Sequence, residues 1–275
     1  MSNLMAVHGD CIEVMKGLDA GMVDLVLTSP PYRAGKAYES WNSLEEYEGF
    51  ADAWMEQAAR ILSPTGTMML NVGYTKVGKN ETLPLTYLYH RLAYKHGLKM
   101  VQEIVWRYFA GMAYKKRYTH RSERIMWLVK DPDNHTFNLD EVRVKEWFKD
   151  GVKLDECPPR CNPLGKNPTD VWDIKHVRYN TKKERVGQEN IKHPAVFPQE
   201  MVERLIRGHS NVGDVVFDPF LGTGTTAVVA GLLGRSCVGV ELNDDYIPII
   251  EARGIPVDVH RRSLSNTLTH HEVHS

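Results

Sequence analysis

Cysteine is scarce in this sequence, with four residues among 275: Cys11, Cys157, Cys161 and Cys237. A disulfide-stapled secreted domain of this length would carry more cysteines at closer spacing. Only Cys157 and Cys161 lie near each other, and no second pair of cysteines or histidines follows at the spacing of a zinc site. We therefore expect a protein of the reducing cytoplasm with no bound metal.

Long hydrophobic runs and an excess of either charge are also missing. No apolar stretch approaches the roughly 20 residues that span a bilayer, and the start of the chain lacks the basic and apolar segments of a secretion signal. Lys and Arg number 34 against 35 Asp and Glu, a formal net charge of −1. This balance excludes a uniformly basic protein that coats DNA, but it leaves room for a local basic face. We expect neither secretion nor membrane insertion.

Short aliphatic runs alternate with helical patterns at both ends of the chain, which is typical of an α/β fold with a parallel sheet. Hydrophobic residues make up 42% of the sequence, enough for one large core. The aliphatic runs predict strands at 4–8, 23–28, 67–72, 102–108, 125–129, 215–217 and 236–240. The periodic segments predict helices at 11–18, 43–62, 87–96, 199–208, 225–233 and 244–253.

The alternation stops between residues 131 and 192, where Pro, Asn, Asp, Lys and Arg are frequent and no period is sustained. We interpret this segment as a loop-rich insert in one α/β domain, whose two halves are residues 1–130 and 193–260. Residues 261–275 are rich in Ser, Thr and His without an apolar pattern, so we expect a disordered tail.

A glycine-rich turn begins at the tip of the strand predicted at 215–217 and opens the next helix. An open α/β sheet binds its ligand at such a turn, where glycines allow close approach and the helix N-terminus offers N–H groups. Neither Gly-Lys-Ser/Thr nor Gly-x-Gly-x-x-Gly occurs, which argues against a nucleotide phosphate. The acidic first residue suits an ammonium or sulfonium ligand instead. The turn reads Asp218-Pro219-Phe220-Leu221-Gly222-Thr223-Gly224-Thr225-Thr226.

A second carboxylate, Glu241, ends the next predicted strand. From this position an acidic residue commonly accepts hydrogen bonds from both hydroxyls of a ribose. Asp218 and Glu241 together indicate a nucleoside that carries a positive charge. The alternative is a turn that only packs a helix on a strand, and the length of the composite pattern argues against it.

The glycine turn, followed by Val238-Gly239-Val240-Glu241, closely resembles the S-adenosylmethionine site of DNA methyltransferases that methylate amino groups. The resemblance implies S-adenosyl-L-methionine as the cofactor. It also implies that the segment His193-Pro194-Ala195-Val196-Phe197-Pro198 folds over the methionine part, and that Asp10, or alternatively Asp258, binds the adenine. The implied cofactor-binding residues are Asp10, Thr28, His193, Phe197, Asp218, Pro219, Phe220, Gly222, Gly224, Thr225, Thr226 and Glu241.

The strand predicted at 23–28 ends in Thr28-Ser29-Pro30-Pro31-Tyr32. The lone pair of an exocyclic amino nitrogen is delocalised into its base, so this nitrogen is a poor nucleophile. Acceptors on its two N–H groups, here Ser29 Oγ and the Pro30 carbonyl, would free the lone pair for in-line attack on a methyl group. Tyr32 would stack on the base, which must leave the duplex. Ser29, Pro30, Pro31 and Tyr32 are therefore candidate catalytic residues; the alternative is a helix-stopping Pro-Pro turn with an incidental tyrosine.

The order of the motifs, with the catalytic motif before the insert and the glycine turn after it, resembles the β class of DNA amino-methyltransferases over most of residues 4–255. The resemblance implies a Rossmann-like methyltransferase fold with a mostly parallel, seven-stranded, circularly permuted sheet and an inserted target-recognition segment. Members with Ser before Pro-Pro-Tyr often methylate cytosine N4, and members with Asp or Asn mostly methylate adenine N6. Ser29 favours cytosine N4, although a hydroxyl and a carboxylate both accept from either amino group.

Two other functions stay open at this point. Methyltransferases of RNA or of protein glutamine carry a related motif on the same fold, but their glycine turn usually comes first and no such insert separates the motifs. An inactive DNA-binding module on this fold would not be expected to keep both motifs complete. We expect double-stranded DNA as the substrate, bound by a monomer or homodimer.

Two basic clusters outside these motifs are candidates for contacts with DNA phosphates, which supply affinity without sequence information. A solvated charged surface is the alternative explanation. The first cluster comprises Lys115, Lys116, Arg117, His120, Arg121 and Arg124, and the second comprises Lys175, Arg178, Lys182, Lys183 and Arg185. Candidates for reading base edges are Asn167, Asp170, Asn180 and Gln188.

Reversing the charge of Lys182 and Lys183 is expected to weaken the binding of target and non-target duplexes about equally and to flatten its salt dependence. Each lysine that neutralises a phosphate adds roughly −0.9 to the slope of log K against log salt concentration. Fluorescence anisotropy at several salt concentrations, with a cognate and a scrambled duplex, measures both effects. A loss confined to the cognate duplex, or no loss, would place the DNA on the first basic cluster instead.

Overall fold

The computed structural model describes residues 2–33, 41–109, 115–149, 152–155, 157–158, 160–177 and 197–260. The strands in these ranges are β1 (Leu4–His8), β2 (Val23–Thr28), β3 (Leu62–Val72), β4 (Tyr74–Lys76), β5 (Thr82–Pro84), β6 (Lys99–Arg107), β7 (Ser122–Val129), β8 (Trp147–Lys149), β9 (Val152–Leu154), β10 (Val171–Asp173), β11 (Val215–Asp218), β12 (Ser236–Glu241) and β13 (Val257–Val259). The helices are α1 (Cys11–Lys16), α2 (Leu44–Ile61), α3 (Leu85–Lys95), α4 (Leu139–Val142), α5 (Gln199–His209), α6 (Thr225–Leu232) and α7 (Ile247–Ala252), and a 3₁₀ turn at Asp244–Tyr246 precedes α7.

Nine strands form one sheet in the order β10-β6-β7-β3-β2-β11-β12-β1-β13. Strand β7 runs antiparallel to β3 and β6, and the other neighbouring pairs of this sheet are parallel. The prediction of a mostly parallel α/β sheet is confirmed, but the predicted count of seven strands is wrong. The edge strands β10 and β13, each of three residues, extend the sheet at its two ends. So short a strand has no alternation long enough to detect in the sequence.

Strand β3 begins at Leu62, although the sequence predicts a turn at 63–66 and a strand only from residue 67. Leu62 pairs with Val23, and the next pair joins Thr67 to Leu25, so the register shifts between them. Residues 63–66 are therefore a bulge within the ladder, a device that raises the local twist. Pro and Gly in the bulge produced the turn signal, because both residues are common to turns and to bulges.

Successive side chains of the central strands point to opposite faces of the sheet, as a pleated strand requires. Val26 of β2 packs in the hydrophobic cluster that contains α1, α2 and α3, whereas its neighbours Leu25 and Leu27 pack in the cluster that contains α5, α6 and α7. The sheet therefore lies between two helical layers with a hydrophobic core on each face. None of the described helices combines the length and the apolar character needed to cross a bilayer.

The insert takes part in the sheet rather than lying wholly outside it. Its strand β10 pairs with β6, where Val105 N donates to the Asp170 carbonyl at 2.7 Å and Ile174 N donates to the Arg107 carbonyl at 3.3 Å. The described part of the insert otherwise contains the short helix α4 and the hairpin of β8 and β9. The domain boundaries given above stay a prediction.

Gly239 of β12 packs directly against the glycine turn, since a Cβ at this residue would lie 2.5 Å from Leu221 Cδ1. Leu221 is only 4% exposed, so its side chain has little room to move.

Gly239→Ala is expected to lower the free energy of unfolding by about 1–3 kcal/mol through overpacking. Gly49→Ala in α2 is the matched control: its Cβ would meet nothing within 4 Å. There the better helix propensity of Ala should raise stability by about 0.5–1 kcal/mol. Urea unfolding measures both, and equal stability of the two variants would contradict tight packing at Gly239.

Candidate active site

The candidate catalytic motif (residues 28–32, hereafter the catalytic motif) and the glycine turn (residues 218–226) meet at one edge of the sheet. Strands β2 and β11, which they follow, are parallel neighbours with Leu25 opposite Val216 and Val26 opposite Phe217. From β2 the chain continues to β3 on one side, and from β11 it continues to β12 on the other. This reversal is the switch point at which α/β sheets bind ligands. Because β2 and β11 are adjacent and parallel, the residues that follow them face the same edge.

Asp218 ties the two strand ends together. Its Oδ1 accepts hydrogen bonds from Thr28 Oγ1 at 2.7 Å and from Phe220 N at 3.1 Å, and its Oδ2 accepts from Thr226 Oγ1 at 2.7 Å. The residue is 2% exposed, and burial raises the pKa of its carboxyl to about 6 in spite of these donors. Asp218 therefore fixes the glycine turn and α6 to the catalytic strand. A direct contact between Asp218 and a cationic ligand stays a prediction.

The glycine turn has a backbone that other residues adopt only with strain. Gly222 and Gly224 have φ angles of 57° and 84°, in the left-handed region that favours glycine. A Cβ at Gly224 would lie 2.9 Å from Ile255 Cδ1. The turn is also held by Leu221 N, which donates to the Val240 carbonyl at 2.8 Å. These glycines leave the backbone at the start of α6 open to a ligand.

The side chains around the glycine turn connect it to helices on both faces of the sheet. The ring of Phe220, half-buried, packs against Phe50 and Trp54 of α2, with centroid distances of 6.0 Å and 5.4 Å. Thr225 Oγ1 accepts a hydrogen bond of 3.3 Å from Arg253 Nη1, at the end of α7. Pro219 stands between Asp218 and Phe220. Roles for Pro219, Phe220 and Thr225 in cofactor binding stay predictions.

Glu241 lies beside the turn at the end of β12. Its Oε2 accepts from Gly222 N and its Oε1 from Asn243 N, each at 2.7 Å. The residue is 9% exposed, and burial raises the pKa of its carboxyl. Each carboxylate oxygen can accept a further hydrogen bond. Glu241 is therefore a pair of acceptors held in place by two backbone N–H groups, and its contact with a ribose stays a prediction.

Asp10 and Asp258, the alternatives for the adenine contact, differ in their place in the sheet relative to Glu241. Asp10 follows β1, whose last residue His8 pairs with Glu241. Asp258 pairs with Val7 from β13, on the side of β1 away from β12. The geometry favours Asp10. Its Oδ1 also caps α1 by accepting from the backbone N–H groups of residues 12 and 13 at 2.9 Å and 3.1 Å.

The catalytic motif is anchored by its own backbone as well as by Thr28. The Pro31 carbonyl accepts a hydrogen bond of 2.8 Å from Tyr47 Oη, which projects from α2 and lies 3.0 Å from Tyr89 Oη. The next residue but one, Arg33, has φ 51° and is the non-glycine residue with a positive φ in the described ranges. This costly conformation is held by Thr75 Oγ1, which donates to the Arg33 carbonyl at 3.1 Å.

Sequence reasoning missed a polar network behind Tyr32 that involves Asn71 of β3 and Glu123 of β7. Tyr32 Oη lies 2.9 Å from Ser29 Oγ, 3.0 Å from Glu123 Oε2 and 2.9 Å from Asn71 Nδ2. Asn71 Nδ2 also donates to Glu123 Oε2 at 2.6 Å. The Tyr32 ring rests on Gly73, where a Cβ would lie 3.2 Å from Tyr32 Cε2. Asn71 could have been found as a polar residue in an apolar strand, whereas no local pattern marks Glu123.

Part of the first basic cluster, and Lys175 of the second, lie at the same edge of the sheet. The exposed residues Lys115, Lys116, Arg117 and Arg121 belong to the connection that leaves the carboxyl end of β6, and exposed Lys175 follows β10. Both strands run parallel to β2, so these cations lie on the side of the catalytic motif. Arg124 instead pairs with Glu103 at 3.1 Å, and the His120 ring lies 4.8 Å from that of Tyr74. Contacts with DNA stay predictions.

The two described candidates for base reading lie elsewhere. Asn167 and Asp170 line a cavity of about 150 Å³ with Trp127, His209 and Gln102, the last of which lies in the first half of β6. The structure therefore does not bring these candidates to the catalytic edge. No group of three or more His, Cys, Asp or Glu side chains in the described ranges is arranged to hold a metal ion.

Several predicted residues lie outside the described part of the chain: His193, Pro194, Ala195, Val196, Arg178, Asn180, Lys182, Lys183, Arg185 and Gln188. Phe197 is described and half-buried, and it packs against the hydrophobic cluster of α5. Pro198, next to it, is the N-cap residue of α5.

Residues 23–252 match the model of a family described as DNA methylase. Type II methyltransferase M.ScaI of Streptomyces caespitosus is 41% identical over 253 residues, 92% of this chain and 81% of that protein. DNA adenine methyltransferase YhdJ of Escherichia coli (strain K12) is 33% identical over 250 residues, 88% of this chain and 79% of that protein. The structure of TTHA0409 from Thermus thermophilus, complexed with S-adenosyl-L-methionine, is similar with a TM-score of 0.64 and 26% identity, covering 98% of this chain and 100% of that one.

The raised pKa of Asp218 predicts a pH dependence of stability. In the folded protein this carboxyl holds its proton up to about pH 6, whereas its ordinary value is 3.8. The folded state thus binds more protons than the unfolded state between about pH 4 and pH 6, and the contribution of Asp218 to stability falls as pH rises through this window. Asp218→Asn lacks this slope. Urea unfolding of both proteins from pH 4 to pH 7 gives the difference between their free energies of unfolding, which should change with pH. A difference that is independent of pH would contradict the prediction.

Proposed function

This chain belongs to the DNA methylase family, and we propose that it transfers a methyl group from S-adenosyl-L-methionine to the N4 amino group of a cytosine at a specific site in duplex DNA. One observation carries the proposal: Ser29 and the glycine turn follow adjacent parallel strands and are joined through the hydrogen bond from Thr28 to Asp218. An amino-group acceptor and a site for a cationic nucleoside therefore share one edge of the sheet.

The residues around the glycine turn fit S-adenosylmethionine. Two buried carboxylates, Asp218 and Glu241, flank a turn whose left-handed glycines keep the backbone open. Glu241 would accept the two ribose hydroxyls with the oxygens that Gly222 N and Asn243 N already orient. The carboxylate of Asp218 favours positive charge in its surroundings. When bound, S-adenosylmethionine supplies an electrophilic methyl group, and the protein supplies its position relative to Ser29.

The catalytic motif would prepare the amino nitrogen by accepting from its two N–H groups. Ser29 Oγ and the Pro30 carbonyl are the acceptors, and together they would favour the tetrahedral nitrogen required for in-line attack. The ring of Tyr32, fixed by its hydroxyl and by Gly73, would stack on the base that has left the duplex. Removing the base from the duplex is necessary because its amino group is otherwise engaged in pairing.

Cytosine N4 is proposed over adenine N6 because Ser29 occupies the position before Pro-Pro-Tyr. Adenine N6 is the second candidate, and the observation that favours it is the 33% identity to YhdJ, whose name describes an adenine methyltransferase. The names of the type II relatives support a role in restriction-modification. The basic residues beside the catalytic edge, Lys115 to Arg117 with Arg121 and Lys175, are proposed to bind the phosphates of the duplex.

The direct test is transfer of a labelled methyl group from S-adenosylmethionine to duplex DNA, with RNA and protein as competing substrates. Nucleoside analysis of the product then separates N4-methylcytosine from N6-methyladenine. Label in adenine would replace the first candidate by the second. Label in RNA or protein alone would overturn both.

Ser29→Ala and Glu241→Ala are expected to fail at different steps. Ser29→Ala should lower the rate of methyl transfer at saturating DNA while the Kd of S-adenosylmethionine stays nearly unchanged, because Ser29 is assigned to the base. Glu241→Ala should weaken cofactor binding, since a hydrogen bond to a charged group is worth about 1.5–3 kcal/mol. Isothermal titration and single-turnover kinetics measure the two effects. If Ser29→Ala weakens cofactor binding as much as Glu241→Ala does, the assigned roles are wrong.

A further inference from the structure

The hydroxyl of Ser29, before Pro-Pro-Tyr, carries a hydrogen whose direction affects its role, whereas an ionised carboxylate in its place carries none. An ionised carboxylate only accepts hydrogen bonds, whereas a hydroxyl can rotate and either donate or accept. The amino group of the base offers N–H donors, so a Ser29 hydroxyl that pointed its hydrogen at the base would oppose the reaction. The direction of this hydrogen therefore decides whether Ser29 can act.

The side-chain amide of Asn71 has one orientation compatible with its neighbours. Its Nδ2 lies 2.6 Å from Glu123 Oε2 and 2.9 Å from Tyr32 Oη. The flipped amide would place an oxygen against a carboxylate oxygen, which is repulsive. Asn71 is 2% exposed, so the amide has no solvent to turn toward. Its two hydrogens are thus donated to Glu123 and to Tyr32.

The hydrogen bonds around Tyr32 also fix the direction of its hydroxyl hydrogen. The Tyr32 oxygen accepts from Asn71 Nδ2, and the acceptors within reach of its hydrogen include Ser29 Oγ at 2.9 Å, Glu123 Oε2 at 3.0 Å and the Asn71 backbone carbonyl at 3.1 Å. The carboxylate of Glu123 is a stronger acceptor than the hydroxyl or the carbonyl because it is charged. Burial keeps the pKa of Tyr32 well above its ordinary value, so the hydroxyl retains the hydrogen that it donates to Glu123.

With Tyr32 donating to Glu123, the contact between Ser29 Oγ and Tyr32 Oη is a hydrogen bond only if Ser29 donates. We propose that Glu123 is a positioning residue that orders these hydroxyl hydrogens, so that Ser29 turns its hydrogen inward to Tyr32 and faces the target amino group as an acceptor. This inference rests on the proposed function, because it assigns to Ser29 the amino group of a base.

Ordered hydrogens also give the site selectivity between amino and keto bases. A carbonyl oxygen in place of the amino group would face the lone pairs of Ser29 with no hydrogen between them, which leaves two acceptors in contact. Cytosine is thereby favoured over uracil and thymine, or adenine over hypoxanthine. The chain Glu123 to Tyr32 to Ser29 thus enables a hydroxyl to discriminate as a carboxylate does.

Glu123→Gln tests the inference, because the amide has the shape of the carboxylate but can donate to Tyr32. Tyr32 can then donate to Ser29, and the Ser29 hydrogen is free to face the base. The expected result is a fall in kcat of about tenfold or more with the Kd of S-adenosylmethionine unchanged. Glu103→Gln is the matched control, since Glu103 of β6 pairs with Arg124. It should keep the wild-type kcat within about twofold.

A double-mutant cycle with Tyr32→Phe separates hydrogen ordering from a general structural role. Tyr32→Phe removes the link between Glu123 and Ser29, so adding Glu123→Gln to it should lower kcat no further. Two losses that simply add would indicate a structural contribution of Glu123 and overturn the inference.

Binding of base analogues gives a readout independent of turnover. The wild type should bind a duplex with the target amino base more tightly than one with its keto analogue, uracil for cytosine or hypoxanthine for adenine. In Glu123→Gln and in Tyr32→Phe the ratio of the affinities for the amino and the keto duplex should fall. If Glu123→Gln does not fold, the Tyr32→Phe ratio tests the inference. An unchanged preference overturns the inference. If the wild type methylates DNA and Glu123→Gln is equally fast, the inference fails alone; if the wild type transfers no methyl group to DNA, the proposed function fails.

Discussion

The hydrogen bonds that Asp218 accepts from Thr28 and Thr226 link the strand end before the catalytic motif to the glycine turn and its helix. They join the end of β2 to the end of β11 and to the first turn of α6. A buried carboxylate is costly unless it is satisfied, and these hydroxyls with Phe220 N supply its partners. The pairing of β2 with β11 brings the two strand ends together, and Asp218 adds the side-chain link that fixes the catalytic motif relative to the glycine turn.

Local sequence patterns predicted the features that depend on neighbouring residues, namely the bounds of central strands and the positions of the two motifs. The bounds of β1 and β2 agree with the prediction, and the motif at 28–32 and the glycine turn lie where the strand ends place them. The edge strand β13 was missed because its partner strand, rather than its own composition, makes it a strand. The bulge at 63–66 was taken for a turn because Pro and Gly are used in both.

The network around Tyr32 shows why the candidate site was only half predictable. Ser29 and Tyr32 are neighbours in one motif, but Asn71 and Glu123 reach them from two other strands that pair in the sheet. Such contacts depend on register, and register is set by pairing across the whole sheet. The motif is contiguous in the sequence and can be recognised there, whereas the residues that orient it are far apart in the sequence and become neighbours only in the folded sheet.

The pairing of β10 with β6 has a consequence for exchanging the insert between related proteins. Residues 171–173 belong to the insert by sequence, yet they are bonded into the catalytic sheet and carry the ion pair of Asp173 with Arg107, 2.5 Å apart. A graft that replaced the insert as a block would strip the sheet of an edge strand and leave β6 with open N–H and C=O groups, a template for aggregation. A chimera joined beyond Asp173 keeps that edge covered, so the practical junction for such an exchange lies inside the insert rather than at its ends.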